Sequence, residues 1–226
     1  MYGPANTWAR LGAASSPEGG EIDDFSDIFE IRHWVDNQAV QIGSLSVTPK
    51  LVCHPTESYG MRITDPSGAT LVYSGDTGYC DALIDLARGA DVFLCEASWT
   101  HSPSRPPKLH LSGTEAGRAA AQAGVGELLL THIPPWTSRE DVISEAKAEF
   151  DGPVHAVVCN EVVRCHALLS AADSRGPMPS DHRLGLARVQ TRRRPARRRA
   201  ASGAHHPRLH LPSRRIGVGG VRRDAG

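Results

Sequence analysis

Nowhere in the 226 residues is there an apolar stretch near the ~18 residues that a membrane-spanning helix needs. The N-terminus, MYGPANTWARLG, lacks the charged segment followed by an apolar one that marks a secretory leader. No membrane partner is expected, and a cytoplasmic location is. No C-x-x-C pair occurs either: Cys53, Cys80, Cys95, Cys159 and Cys165 form an odd set, four of them at the ends of apolar runs. That argues against a disulfide framework or a cysteine-based structural zinc and for buried, reduced thiols. Lysine is missing after residue 160, and the formal net charge of zero hides why this matters. Residues 1–160 carry 10 basic against 21 acidic side chains, a balance of −11, whereas residues 161–226 carry 15 against 4, a balance of +11. Two compositions are joined end to end.

What is present before residue 160 is patterned. The first forty residues are acidic and turn-rich, with ASSPEGGEIDD read as a loop and DIFEIRHWV as a short extended or mixed segment. AVQIGSLSV alternates around Gly43-Ser44 as a hairpin does, and PKLVC then leads to His54. GMRI, a TDPSG turn and ATLVYS make a second hairpin that ends at Ser74-Gly75-Asp76-Thr77. Beyond Asp76 the period changes. CDALIDLARG reads as a short helix closed by Gly89, DVFLCEA as a buried strand, and SGTEAGRAAAQAG as a helix opened by a capping box from Ser112 to Glu115. ELLLTH is another buried strand, SREDVISEAKAEF a helix capped at Thr137 or Ser138, and VHAVVC a last strand. Hairpins followed by alternating helices and strands predict a layered α/β domain over residues 1–160.

Past Cys159 the periodicity dissolves. From Arg175 onward there are 14 arginines and no lysine, with Pro and Gly scattered among them. Such a segment cannot bury enough apolar surface to offset its ordering entropy, so residues 161–226 are expected to be a disordered basic tail. Its composition is also what out-of-frame translation of GC-rich coding DNA gives.

Three chemically capable side chains each follow an apolar strand directly: His54 after KLVC, Asp76 after LVYSG and His132 after ELLLT. In open α/β sheets ligands collect at the carboxyl ends of strands, so three strands can aim these groups at one crevice. Two imidazoles and a carboxylate are zinc or manganese ligands by type, although each histidine could equally be a satisfied core or loop residue. A fourth group, His110, stands two residues before the cap at Ser112, in a loop that Pro103, Pro106 and Pro107 are expected to keep extended. An imidazole there could act as general acid or stabilise developing oxyanion charge, or it could be a solvated loop histidine.

In this order and at these intervals, CHPTESYGMRI, LVYSGDTG, VFLCEASW and LHLSGTEAGRAAAQAGVGELLLTHIPPW resemble the later part of the metallo-β-lactamase superfamily. More narrowly, they resemble its phosphodiesterase branch of ribonuclease Z-like and cyclic-nucleotide phosphodiesterase-like proteins. The resemblance implies an αββα sandwich, two zinc or manganese ions and a phosphodiester substrate, either a cyclic nucleotide or RNA. It makes His54 a ligand of the first ion, Asp76 the bridge, His132 a ligand of the second, and His110 the histidine that assists ester cleavage. Glu96 matches the acidic residue after the next strand; hydrogen bonding to a ligand from behind, or capping, is an equal alternative.

The departure is as specific as the match. The superfamily's H-x-H-x-D-H, which supplies two ligands to each ion, occurs nowhere in the 226 residues, and His33 is the only histidine before His54. The early strands of the sandwich are expected to be missing with it, so that residue 1 falls inside the family pattern and the fold is partial. Two protein ligands per ion would remain where catalytic zinc sites keep about three. Weak or absent metal binding, little hydrolysis and an exposed sandwich face are therefore expected. Two alternatives stand beside the hydrolase. One is a non-catalytic chain whose basic tail binds nucleic acid nonspecifically; the other is a truncated, frameshifted product without independent function.

Overall fold

The computed structural model describes residues 1–16 and 23–165. The tail expected beyond residue 160 lies outside the described residues except for 161–165, which carry no regular secondary structure.

Seven strands form one sheet in chain order: β3 (Val40–Ile42), β4 (Leu45–Leu51), β5 (Tyr59–Thr64), β6 (Thr70–Tyr73), β7 (Val92–Glu96), β8 (Glu127–Thr131) and β9 (Val154–Ala156). The first four pair antiparallel through the two expected hairpins, and β6 to β9 run parallel. Val154–Ala156 is shorter than the run VHAVVC predicts. The parallel strands are linked by α2 (Asp81–Ala87), α3 (Gly113–Ala123) and α4 (Arg139–Glu149). Alternation along each strand then sets what faces what. Val72, Phe93, Leu128 and Val154 point to the helices and meet Leu83, Ala116, Ala120, Val142 and Ala146 in one buried core.

The register aligns two apolar rows on the other face. They are Val47, Ile63, Leu71 and Val92, and Pro49, Met61, Tyr73, Leu94 and Leu129. Several members of these rows, Met61, Ile63, Leu71 and Leu94 among them, are only half-buried. One helix layer on one sheet is half of an αββα sandwich, the partial fold that the sequence predicts.

Local chemistry explains the helix ends. The Ser112 hydroxyl accepts from the Glu115 N–H while the Glu115 carboxylate accepts from the Ser112 N–H, so the predicted capping box is formed. For α4 the cap is Ser138, whose Oγ accepts from the Asp141 N–H; Thr137 instead donates to the Ser98 carbonyl. Helices α3 and α4 cross closely because Gly117 has no Cβ: one placed there would collide with the Ala146 carbonyl.

The N-terminal forty residues differ from expectation. A helix, α1 (Thr7–Ser15), stands where the sequence showed no element and overlaps the predicted loop ASSPEGGEIDD only at its end. Its sequence, TWARLGAAS, is rich in good helix formers, and Trp8 meets Phe25 edge-on at 6.2 Å. Next to it β1 (Tyr2–Gly3) pairs in parallel with β2 (Arg32–His33), and Tyr2 stacks on Trp34 at 4.6 Å.

All five cysteines are free: Cys95 is buried, Cys53, Cys80 and Cys165 are half-buried, and Cys159 is exposed. The expectation of burial therefore fails at Cys159, where the last strand has already ended. Among the described residues no helix is long and apolar enough to cross a membrane.

Candidate metal centre

Two antiparallel steps bring β4 back into the direction of β6, so the carboxyl ends of β4, β6, β7 and β8 share one edge of the sheet. His54, Asp76 and His132 follow the ends of β4, β6 and β8, and Glu96 is the last residue of β7. Asp76 is aimed by Gly75, which has φ +63° and lies so close to the Tyr59 carbonyl that a Cβ would sit 2.5 Å from its oxygen. The Ser58 hydroxyl donates to the Asp76 carbonyl at 2.8 Å and secures the turn to β5. His132 is held in the left-handed region at φ +57° although it is not glycine, a strain of the kind that gathers at functional sites. Ser98 holds it there, its hydroxyl lying 3.0 Å from the His132 carbonyl and 3.3 Å from Nδ1.

His110 enters from the loop before α3 and is surrounded by rings. Its centroid lies 5.1 Å from that of His132, 5.3 Å from Trp99 and 5.7 Å from His54. Its Nδ1 is 2.9 Å from Glu96 Oε1, which leaves Nε2 for the open side. Glu96 is only 1% exposed, and every direction around its carboxylate is taken. Oε1 accepts from the Thr77 N–H at 2.7 Å and faces His110; Oε2 accepts from the Ser98 hydroxyl at 3.0 Å and the Leu111 N–H at 3.3 Å. Burial pushes the Glu96 carboxyl above its ordinary range, opposed by the Thr77 N–H and by His110.

The loop carrying His110 is not extended as the prolines suggested. It folds into turns, because Arg105 gathers it inward: its guanidinium bonds the Ser102 carbonyl at 3.2 Å and the His110 carbonyl at 3.4 Å. It also pairs with Glu115 at 2.9 Å and lies over the Trp99 ring at 5.8 Å. Arg105, Ser98, Thr77 and Trp99 escaped sequence reasoning. Ser98, Trp99 and Thr77 stand inside the blocks VFLCEASW and LVYSGDTG, but nothing in those blocks gives their partners: Ser98 meets His132 34 residues away, Thr77 meets Glu96 19 residues away, and Arg105 meets the His110 carbonyl 5 residues on.

Asp76, Glu96, His110 and His132 each place a potential ligand atom within 4.8 Å of the others. The donor set suits a metal ion, and one distance bears on this directly. Asp76 Oδ1 and His132 Nδ1 are 3.4 Å apart, roughly the separation of two ligands each ~2.1 Å from one tetrahedral ion. Glu96, its lone pairs already engaged, suits the alternative of holding His110 from behind better than it suits metal binding. His54 stands beside this group rather than in it: its Nδ1 is 3.0 Å from the Thr56 hydroxyl. The structure thus brings His110, Asp76, His132 and Glu96 together and leaves His54 at the rim. Next to the cluster lies a cavity of about 510 Å³ that includes His110 and His132 in its wall.

Known proteins share parts of this chain. Over 161 residues the chain is 81% identical to the uncharacterized protein ML1173 of Mycobacterium leprae, covering 71% of this chain and 57% of that one. It is 37% identical over 119 residues to the probable metallo-hydrolase YhfI of Bacillus subtilis, 53% of this chain and 48% of that protein. The crystal structure of YhfI, a metallo-β-lactamase fold protein, superposes with a TM-score of 0.52 over 57% of this chain and 53% of that one, at 33% identity. A ribonuclease Z of Synechococcus is 41% identical over 91 residues, 37% of this chain and 28% of that protein. The chain spans little more than half the length of the Mycobacterium leprae protein and less than half that of the metallo-hydrolase and the ribonuclease Z. Residues 1–133 match the family model described as a beta-lactamase superfamily domain. With strand-end histidines and an aspartate meeting at one edge of a helix-covered sheet, the chain belongs to the metallo-β-lactamase superfamily.

Proposed function

We propose that the chain is a phosphodiester hydrolase of this superfamily, dependent on zinc or manganese, with a nucleotide or RNA ester as substrate. The observation that carries this is the pairing of Asp76 with His132 beside a second histidine, His110, which Glu96 fixes from the far side. The ribonuclease Z relative, which its name describes as acting on RNA, supports the substrate class.

Asp76 and His132 would hold one ion, and Asp76 with His54, after a turn of the His54 ring toward the cluster, would hold a second. A bound ion supplies Lewis acidity and a more acidic water. The remaining work belongs to the side chains. Glu96 fixes the His110 ring through Nδ1, so that Nε2 can hold a proton for the departing alkoxide; this is general acid assistance of the kind that contributes 10²–10⁴-fold. Ser98, at the His132 carbonyl and Nδ1, holds the imidazole beside Asp76. The shared position of Asp76 and the absence of H-x-H-x-D-H leave about two protein ligands per ion, so affinity should fall below that of a three-ligand catalytic site.

The test is a metal titration with turnover. Zn²⁺ or Mn²⁺ added to the purified chain should bind weakly and, at saturation, support slow hydrolysis of bis(p-nitrophenyl) phosphate that EDTA and Asp76→Ala each remove. No hydrolysis at saturating metal, or full activity in Asp76→Ala, overturns the proposal.

A further inference from the structure

The cavity beside His110 and His132 has a chemistry of its own. Its walls are apolar, built from Trp99, Leu109, Ile133 and Trp136 with Pro134 and Pro135, and its volume, about 510 Å³, lies within the span of small-molecule sites. The two indoles differ in kind. Trp99 is fixed, edge-on to His110 at 84° and beneath the Arg105 guanidinium. Trp136 is 82% exposed, a large flat apolar ring standing in water at the rim of the cavity. A planar ring laid on that indole would remove both faces from water and gain stacking.

Polar recognition in the wall is scarce. Pro134 and Pro135 carry no N–H, and the Pro134 carbonyl already accepts from the Thr137 N–H at 3.0 Å. The Ser98 hydroxyl is engaged with Glu96 and His132, and the Ser98 carbonyl accepts from the Thr137 hydroxyl. The two indole N–H groups remain to meet the edge of a ring, and otherwise the wall offers mainly apolar surface to cover its face. His110 and His132 belong to both the cavity and the cluster, so the group attached to an ester phosphate at the cluster would have this cavity within reach.

We infer that this cavity is a nucleobase subsite, with Trp136 as stacking platform and Trp99 as fixed wall, and that it selects for ring area rather than base identity. The inference rests on the phosphodiester reading for the position of the phosphate, and it adds what lies beyond that phosphate. An alkyl group could also fill an apolar cavity, but it would leave the Trp136 face without a matching plane.

Binding can be measured on the full chain without added metal, and so without turnover, by equilibrium dialysis. Adenosine and guanosine 5′-monophosphates should bind equally within about twofold, cytidine 5′-monophosphate somewhat more weakly, and ribose 5-phosphate far more weakly than any of them. Trp136→Ala should weaken adenosine 5′-monophosphate by roughly 5- to 150-fold, the span seen for base stacking on an aromatic side chain. Trp136→Phe should retain most of the affinity, and ribose 5-phosphate should not respond to either change. The exposure of Trp136 makes both variants compatible with folding. Equal binding of ribose 5-phosphate, an unaltered Trp136→Ala, or a tenfold preference between adenine and guanine overturns the inference. Hydrolysis of bis(p-nitrophenyl) phosphate without nucleobase binding removes the subsite and leaves the phosphodiesterase proposal standing; nucleobase binding without hydrolysis does the reverse.

Discussion

Glu96 Oε1 lies 2.9 Å from His110 Nδ1, and the carboxylate that makes this contact is almost wholly buried. The same carboxylate also terminates the Thr77 N–H, the Leu111 N–H and the Ser98 hydroxyl, so one side chain ties the loops after β6, β7 and β8 to the ring at the centre of the site.

Glu96→Ala strands two buried amides, the Thr77 and Leu111 N–H groups, each of which costs about 1–3 kcal/mol when left without a partner, while the Ser98 hydroxyl keeps the His132 carbonyl. Urea unfolding should show a loss of roughly 3 kcal/mol or more. Glu96→Gln keeps an acceptor oxygen and should fall between that value and the wild type. Equal stability of Glu96→Ala would mean that the carboxylate is not the tie described.

Gly75→Ala should be disproportionately harmful for so small a change. An L-residue in the left-handed region costs about 1–2 kcal/mol, and the added methyl meets the Tyr59 carbonyl as well. Thermal unfolding should show the loss, and because this turn aims Asp76, Zn²⁺ affinity should drop with it.

Acid should loosen the loop that carries His110. Burial raises the Glu115 carboxyl, but the Arg105 guanidinium and the Ser112 N–H outweigh it and hold the group below its ordinary value. A carboxyl lowered by folding contributes stability that is present above its unfolded value of 4.5 and lost as pH falls through the lower, folded one. The melting temperature should therefore fall below about pH 4.5, in the range set by ordinary carboxyls. In Glu115→Gln the fall over that window should be shallower; an unchanged acid limb would count against the Arg105–Glu115 pair as its source.

Ser112→Ala removes the hydroxyl half of the α3 capping box and should cost about 1 kcal/mol. Gly117→Ala should cost more, about 1–3 kcal/mol, because α4 leaves no room for the methyl. Chemical denaturation of the two variants side by side checks the order. A reversal would mean that the crossing of α3 and α4 yields more readily than its close packing implies.

Much of this architecture was legible in local pattern. The period-2 hairpins, the buried runs DVFLCEA and ELLLTH and the Ser112 to Glu115 box each formed as written, because alternation and capping act among residues a few positions apart. The placement of His54, Asp76 and His132 at strand ends was legible for the same reason. Helix α1 was not: the turn-rich residues after it masked its helix formers, and Phe25, which meets Trp8, lies ten residues beyond its end.

By itself, then, the sequence determined the strands and helices from Val40 onward and which functional side chains would stand at the carboxyl edge of the sheet. Only the tertiary structure decided what those side chains touch. It set Glu96 against His110, chose Ser138 over Thr137 as the α4 cap, folded the proline loop around Arg105, left His54 at the rim, and enclosed a cavity between Trp99 and Trp136. The physical reason is distance along the chain. Propensity and periodicity are properties of regular local pattern, whereas a buried carboxylate, a guanidinium or an indole takes its role from whichever groups outside its own element packing brings into contact.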